Sequence, residues 1–112
     1  MTEITAEFDR QTGHCRIAAK GHATGSDKVC AAISGLLFAL AGYAENRRLT
    51  PGVQVWTMRL EKGDAVIDYT GDQEAVGAFL AVAVGLLQIA RDNPVEACMR
   101  VKEETFFSRT KK

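Results

Sequence analysis

The sequence predicts an α+β fold, a two-layer β-β-α-β-β-α-β sandwich with two helices on one mixed sheet. Short segments near the start, middle and end of the chain alternate apolar and polar residues. Two longer segments change to a helical period, and the breaks between segments carry Gly, Pro, Asp and Asn. At 112 residues the chain has room for one domain, residues 1–112.

The first element is "EITAEFD", where Ile4, Ala6 and Phe8 alternate with Glu3, Thr5 and Glu7, the pattern of a half-buried strand. "QTG" turns the chain into "HCRIAAK", with Cys15, Ile17 and Ala19 on one face, so the two segments form a hairpin. From about Ser26 to Asn46 the period becomes helical, gathering Val29, Ile33, Leu36, Leu37, Leu40 and Ala44 on one side. "TPG" at Thr50 to Gly52 ends that pattern. "VQVWTMRL" and "AVIDYT" then read as a second hairpin around an "EKGD" turn, with Gly63 supplying a positive φ. Asp72 caps a second helix from Gln73 to about Arg91, which "DNP" stops, and "VEACMRVK" is the final strand.

Fourteen Lys and Arg balance fourteen Asp and Glu. That balance argues against a nucleic-acid partner, which calls for a basic excess. The longest apolar run, Ala75 to Ala90, is 16 residues and contains Gln88. It falls short of the ~20 residues of a membrane span, so no membrane partner is expected. The polar start "MTEITAEFDR" lacks the pattern of an export signal. Together with three cysteines, an odd number, it points to reduced thiols and a cytoplasmic location. Both helices are apolar over more of their circumference than one sheet covers. Gly35, Ala39 and Gly42 on the first, and Gly77, Ala81 and Gly85 on the second, form rows of small residues. The two helices pack on each other through these rows, or a second copy of the chain does so, and a homodimer is expected.

The chemistry concentrates in "GHATGSDKVCAAIS", Gly21 to Ser34. Ser26 and Asp27 are both N-cap types, which puts Cys30 in the first turn of the helix. Helix starts leave peptide N–H groups without intrahelical partners and favour nearby negative charge. A thiolate is such a charge, and a neighbouring imidazolium favours it further, so His22 and Cys30 have the makings of a base and a nucleophile. The same N–H groups are suited to an oxyanion hole. A cysteine at this position is also ordinary small packing. His14, Cys15, His22 and Cys30 lack the close pairing of a structural metal site, so no metal is expected.

The pattern formed by Gly21, His22 and Ala23, then Gly25, Asp27, Val29, Cys30, Ala31, Ala32 and Ser34, resembles that of the bacterial ribosomal-processing cysteine proteases (Prp). Element order and length fit as well. The resemblance implies a cysteine endopeptidase with a Cys–His dyad, Cys30 as nucleophile and His22 as base. It implies removal of the N-terminal extension of ribosomal protein number twenty-seven of the large subunit. It also implies a cytosolic homodimer with a peptide or protein substrate and no cofactor. Gly21, Ala23, Gly25, Asp27 and Ser34 would support the site or bind substrate. Asp27 reads equally as N-cap or as a third member orienting the imidazole. Ser34 contacts the site or bonds back to the Cys30 carbonyl. Only Thr24 separates the first triplet from Gly25, which makes the segment shorter than is usual in that family. A non-catalytic dimeric peptide- or ribosome-binding module on the same fold is the alternative. Phe106 and Phe107, ahead of a small residue and basic ones, close the edge of the core or enter a peptide groove. Cys15 and Cys98 are expected to pack inside strands, and His14 to be solvated.

Overall fold

The computed structural model describes residues 1–21 and 27–103. The elements follow the expected order: β1 (Thr2–Asp9), β2 (His14–Lys20), α1 (Asp27–Arg47), β3 (Val53–Glu61), β4 (Asp64–Gly71), α2 (Gln73–Asp92) and β5 (Ala97–Glu103). The strands form one sheet in the order β3-β4-β2-β1-β5. Its neighbours are antiparallel except for β1 and β5, which are parallel, so the sheet is mixed.

Alternation decides which face of the sheet is covered. Ile4, Ala6 and Phe8 of β1 lie beside Cys15, Ile17 and Ala19 of β2, and these beside Tyr69, Ile67 and Ala65 of β4. All nine are buried beneath the helices. The opposite face is polar, and there Asp68 accepts from Arg16 at 2.9 Å and lies 2.5 Å from His14 Nε2. His14, expected to be solvated, is therefore half-exposed but paired, because the strand register sets it two positions from Arg16 on the Asp68 side. Edge strand β3 carries a bulge between Val55 and Thr57. The extra residue, Trp56, is exposed and donates its indole N–H to Thr70 Oγ1 at 2.9 Å. A bulge of this kind twists an edge away from unwanted strand pairing.

The final strand begins two residues later than the sequence suggests, because the Asn93 carbonyl accepts from Glu96 and Ala97 in a turn. Cys98 differs from expectation more clearly: it is exposed. It pairs with Glu3, which places it on the uncovered face of an edge strand.

The helices cover the sheet through Val29, Ile33, Leu37, Leu40, Ala41 and Ala44 of α1 and Ala75, Phe79, Ala83, Leu86 and Ala90 of α2. Phe79 stacks on Phe8 with ring centroids 5.9 Å apart. By length and composition alone both helices are apolar enough to cross a membrane, yet each lays one face on the sheet. The rows of small residues divide. A Cβ on Gly85 would lie 2.9 Å from Leu36 Cδ1, so that glycine lets the two helices approach. Gly35, Gly42 and Gly77 face open space, and Ala39 and Ala81 beside them are exposed.

One polar cluster joins the end of α1 to the start of α2. Asp72 caps α2 by accepting from the Ala75 N–H at 3.0 Å and accepts from Arg47 Nη2 at 2.6 Å. Arg47 also donates to Glu74, to the Tyr43 hydroxyl and to Thr50 Oγ1. The Arg47 hydrogen bond, and then the Ala75 N–H, hold the Asp72 carboxyl below its usual range. A folded-state value below the unfolded one adds stability above the ordinary carboxylate range near pH ~3.9, and that stability is lost as pH falls through the folded value. Asp72→Asn keeps a good cap but loses the charge. Its Tm is therefore expected below that of the native chain at pH 7, with the two curves converging in scans carried below pH ~4.

Candidate active site

Strand β2 ends at Lys20, and the chain turns at Gly21 with φ +88°. A Cβ there would lie 2.4 Å from the Met1 carbonyl oxygen, so only glycine fits. Its N–H donates to the Gly63 carbonyl at 3.0 Å, which ties the end of β2 to the β3–β4 turn. Gly63 has φ +75°, as the "EKGD" turn predicts. α1 starts at Asp27, so Cys30 is its fourth residue and half-buried at the border of core and solvent.

Between the first half of α1 and this end of the sheet lies a cavity of about 320 Å³. Cys30 lines it, and Ser34 one turn later lines it on the same side of the helix. Gly21 closes one edge and Glu61, Lys62, Gly63 and Asp64 of the turn another. Asp64 is tied to Arg59, Oδ2 to Nε at 3.2 Å. Asp27 is exposed and is not among the described lining residues. His22, Ala23 and Gly25 lie outside the described residues. The structure therefore brings Gly21, Cys30 and Ser34 to one cavity.

The other cysteines sit elsewhere. Cys15 is fully buried near Tyr69 and Gly13, towards the far end of β2. Burial, and secondarily the charge of Asp68, push its thiol up to about 12, which keeps it protonated at neutral pH. Its side chain points to the helices while that of His14 points to the opposite face, so strand alternation separates two members of the four-residue metal pattern. Among the described residues no three His, Cys, Asp or Glu side chains converge.

The Phe106–Phe107 tail lies outside the described residues. Its departure point, Glu103, pairs with Phe8, whereas the cavity lies at the Thr2 end of β1. The two ends are ~20 Å apart along the strand.

The motif does not point to the residues that make the cavity: Ala19, Ile33, Leu37, Phe38, Leu60 and Ala65. A signal was available at two of them. On β2 and β4 the covered positions are Ile17 and Ile67 in mid-strand but Ala19 and Ala65 at this end, so two small side chains leave space below α1.

Fold and cavity together define a two-layer α+β domain that holds a half-buried thiol at the start of a helix, beside an apolar pocket. The chain has the fold of the ribosomal processing protease Prp. It is similar to S. aureus Prp in complex with a covalently linked product peptide, with a TM-score of 0.71 and 19% identity over 91% of this chain and 100% of the other. Against the same protease in complex with a substrate peptide, the TM-score is 0.68 at 18% identity, again over 91% and 100%. SMU.848 of Streptococcus mutans matches with a TM-score of 0.68 at 21% identity over 92% of this chain and 95% of the other. At these identities the likeness is one of fold. No family model and no curated protein matches the chain.

Proposed function

We propose that the protein is a cysteine endopeptidase in which Cys30 attacks a peptide carbonyl and His22 moves the proton. The observation that carries this reading is the position of Cys30: half-buried, in the first turn of α1, on the wall of a cavity large enough for substrate side chains. The fold shared with a protease solved in peptide complexes supports it. In the proposed cycle the Cys30 sulfur bonds to the carbonyl carbon and the protonated imidazole of His22 gives its proton to the departing amine. Water, deprotonated by the same imidazole, then releases the acyl group and restores the thiol. Gly21 and Ser34 border the substrate, and Ala23, Gly25 and Asp27 shape the approach to it. No cofactor enters this chemistry.

The proposed substrate is the precursor of ribosomal protein number twenty-seven of the large subunit, in the cytoplasm. The protein is proposed to work as a homodimer. Open space over Gly35, Gly42 and Gly77, with exposed Phe38 and Val84 beside them, supports a second copy packing on the helix layer. Light scattering is expected to give twice the 12.2 kDa chain mass, and Gly77→Glu to lower it to one chain. The test of function is incubation with a peptide spanning the precursor's extension, read by mass spectrometry. One new cut, absent with Cys30→Ser, is the expected result. Saturable binding without cleavage would favour the non-catalytic binding module instead.

A further inference from the structure

The cavity beside Cys30 has an unusual floor. On the covered face of the sheet, Ala19 of β2 pairs with Ala65 of β4, and Ala65 pairs with Leu60 of β3. One step along the same strands those positions are Ile17, Ile67 and Met58. Methyl groups thus lie where branched side chains would fill the layer under α1, and the space left is the cavity. Its back wall is Ile33 and Leu37. At its mouth stand two large apolar side chains that the fold leaves open to solvent: Phe38, 62% exposed, and Leu60, 37% exposed.

Polar groups line only the rim. Of the turn residues there, Asp64 is neutralised by Arg59, and Glu61 and Lys62 carry opposite charges. A charged side chain entering the floor would lose its water and meet only aliphatic groups, whereas an apolar one gains by leaving water.

We infer that Ala19 and Ala65 set the depth of a side-chain subsite, that Leu60 and Phe38 set its mouth, and that this quartet selects a large uncharged apolar side chain next to the bond Cys30 attacks. The inference rests on the peptidase reading for the nature of the occupant. Ala65→Leu shallows the pocket, Ala19→Val does so from the neighbouring strand, and Leu60→Ala widens the entrance.

The test uses the reactivity of Cys30 itself, in full-length chain carrying Cys98→Ser so that the exposed thiol does not interfere. Alkylation rates with iodoacetanilide and with iodoacetamide are each divided by those of N-acetylcysteine, and their ratio reports whether the ring finds a pocket. A ratio of about ten is expected for this chain, falling to within about twofold of one in Ala65→Leu and Ala19→Val. Leu60→Ala, on an exposed edge strand, is expected to raise the relative rate of a naphthyl reagent about threefold. A ratio near one in the parent chain overturns the proposal. So does a ratio unchanged in a floor variant that retains a cooperative melt. If both floor variants fail to fold, an unchanged naphthyl preference in Leu60→Ala overturns it. A chain that shows the expected ratios yet cleaves no peptide overturns the peptidase reading and leaves the pocket in place.

Discussion

Cys30→Ser is expected to lower peptide hydrolysis roughly a thousandfold or more, to the limit of detection, while leaving the melt within a few degrees of the parent chain. The size of the effect follows from the role. The sulfur is the atom that bonds to substrate in the proposed cycle, and serine is a weak nucleophile unless a base is placed to deprotonate it. The small effect on stability follows from the position. Cys30 is at the margin of the core, and serine is nearly isosteric there and can keep its hydroxyl at the cavity wall. Loss of hydrolysis together with loss of the fold would not support the assignment. Loss of hydrolysis in a chain that still melts cooperatively would.

Phe79→Ala is expected to cost about 3–5 kcal/mol, against the ~5–15 kcal/mol that holds an ordinary domain folded. Phe79 is 1% exposed and its ring stacks on Phe8, so it joins α2 to the centre of the sheet. Removing it leaves a cavity that the backbone of a helix packed on five strands cannot fill by collapse. Thermal unfolding should move down by more than ~12 °C. Leu49→Ala is the control: at 94% exposure in the turn after α1, it should change stability by less than about 0.5 kcal/mol. A similar loss for both would mean that the helix layer does not pack as described.

The order of elements was legible because period and punctuation agree along this chain. Ile4, Ala6 and Phe8 alternate cleanly, Val29 to Ala44 recur at helical spacing, and Asp72 is both a cap in type and a cap in fact. Strand order was not legible, since the parallel pairing of β1 with β5 brings together residues some 95 apart in the chain, and no local pattern encodes it. Cys98 was misplaced for the same reason. Whether a strand residue is buried depends on which face the helices cover and on whether the strand is an edge. The rows of small residues told only that close approach was possible, and the structure assigns that role to Gly85 alone.

For the site, the sequence located Cys30 and Ser34 on one side of the first helix and glycine at Gly21, and all three meet at the cavity. It did not reveal what faces them, because Leu60 and Ala65 come from a hairpin thirty residues further on. The size of the pocket comes from Ala19 and Ala65 being small, a feature that reads in the sequence only as two weak strand residues.

The central claim is that His22 activates Cys30, and alkylation by iodoacetamide measures it most directly. In a Cys98→Ser background, with Cys15 shielded in the core, the rate at Cys30 is compared between the parent chain and His22→Ala from pH 6 to pH 10. An imidazolium beside the thiol favours thiolate at pH values where a free thiol is mostly protonated. The account therefore predicts a parent rate at pH 6.5 at least about tenfold above that of His22→Ala, with the two converging towards pH 10. Superimposable rate profiles across the whole range would contradict it.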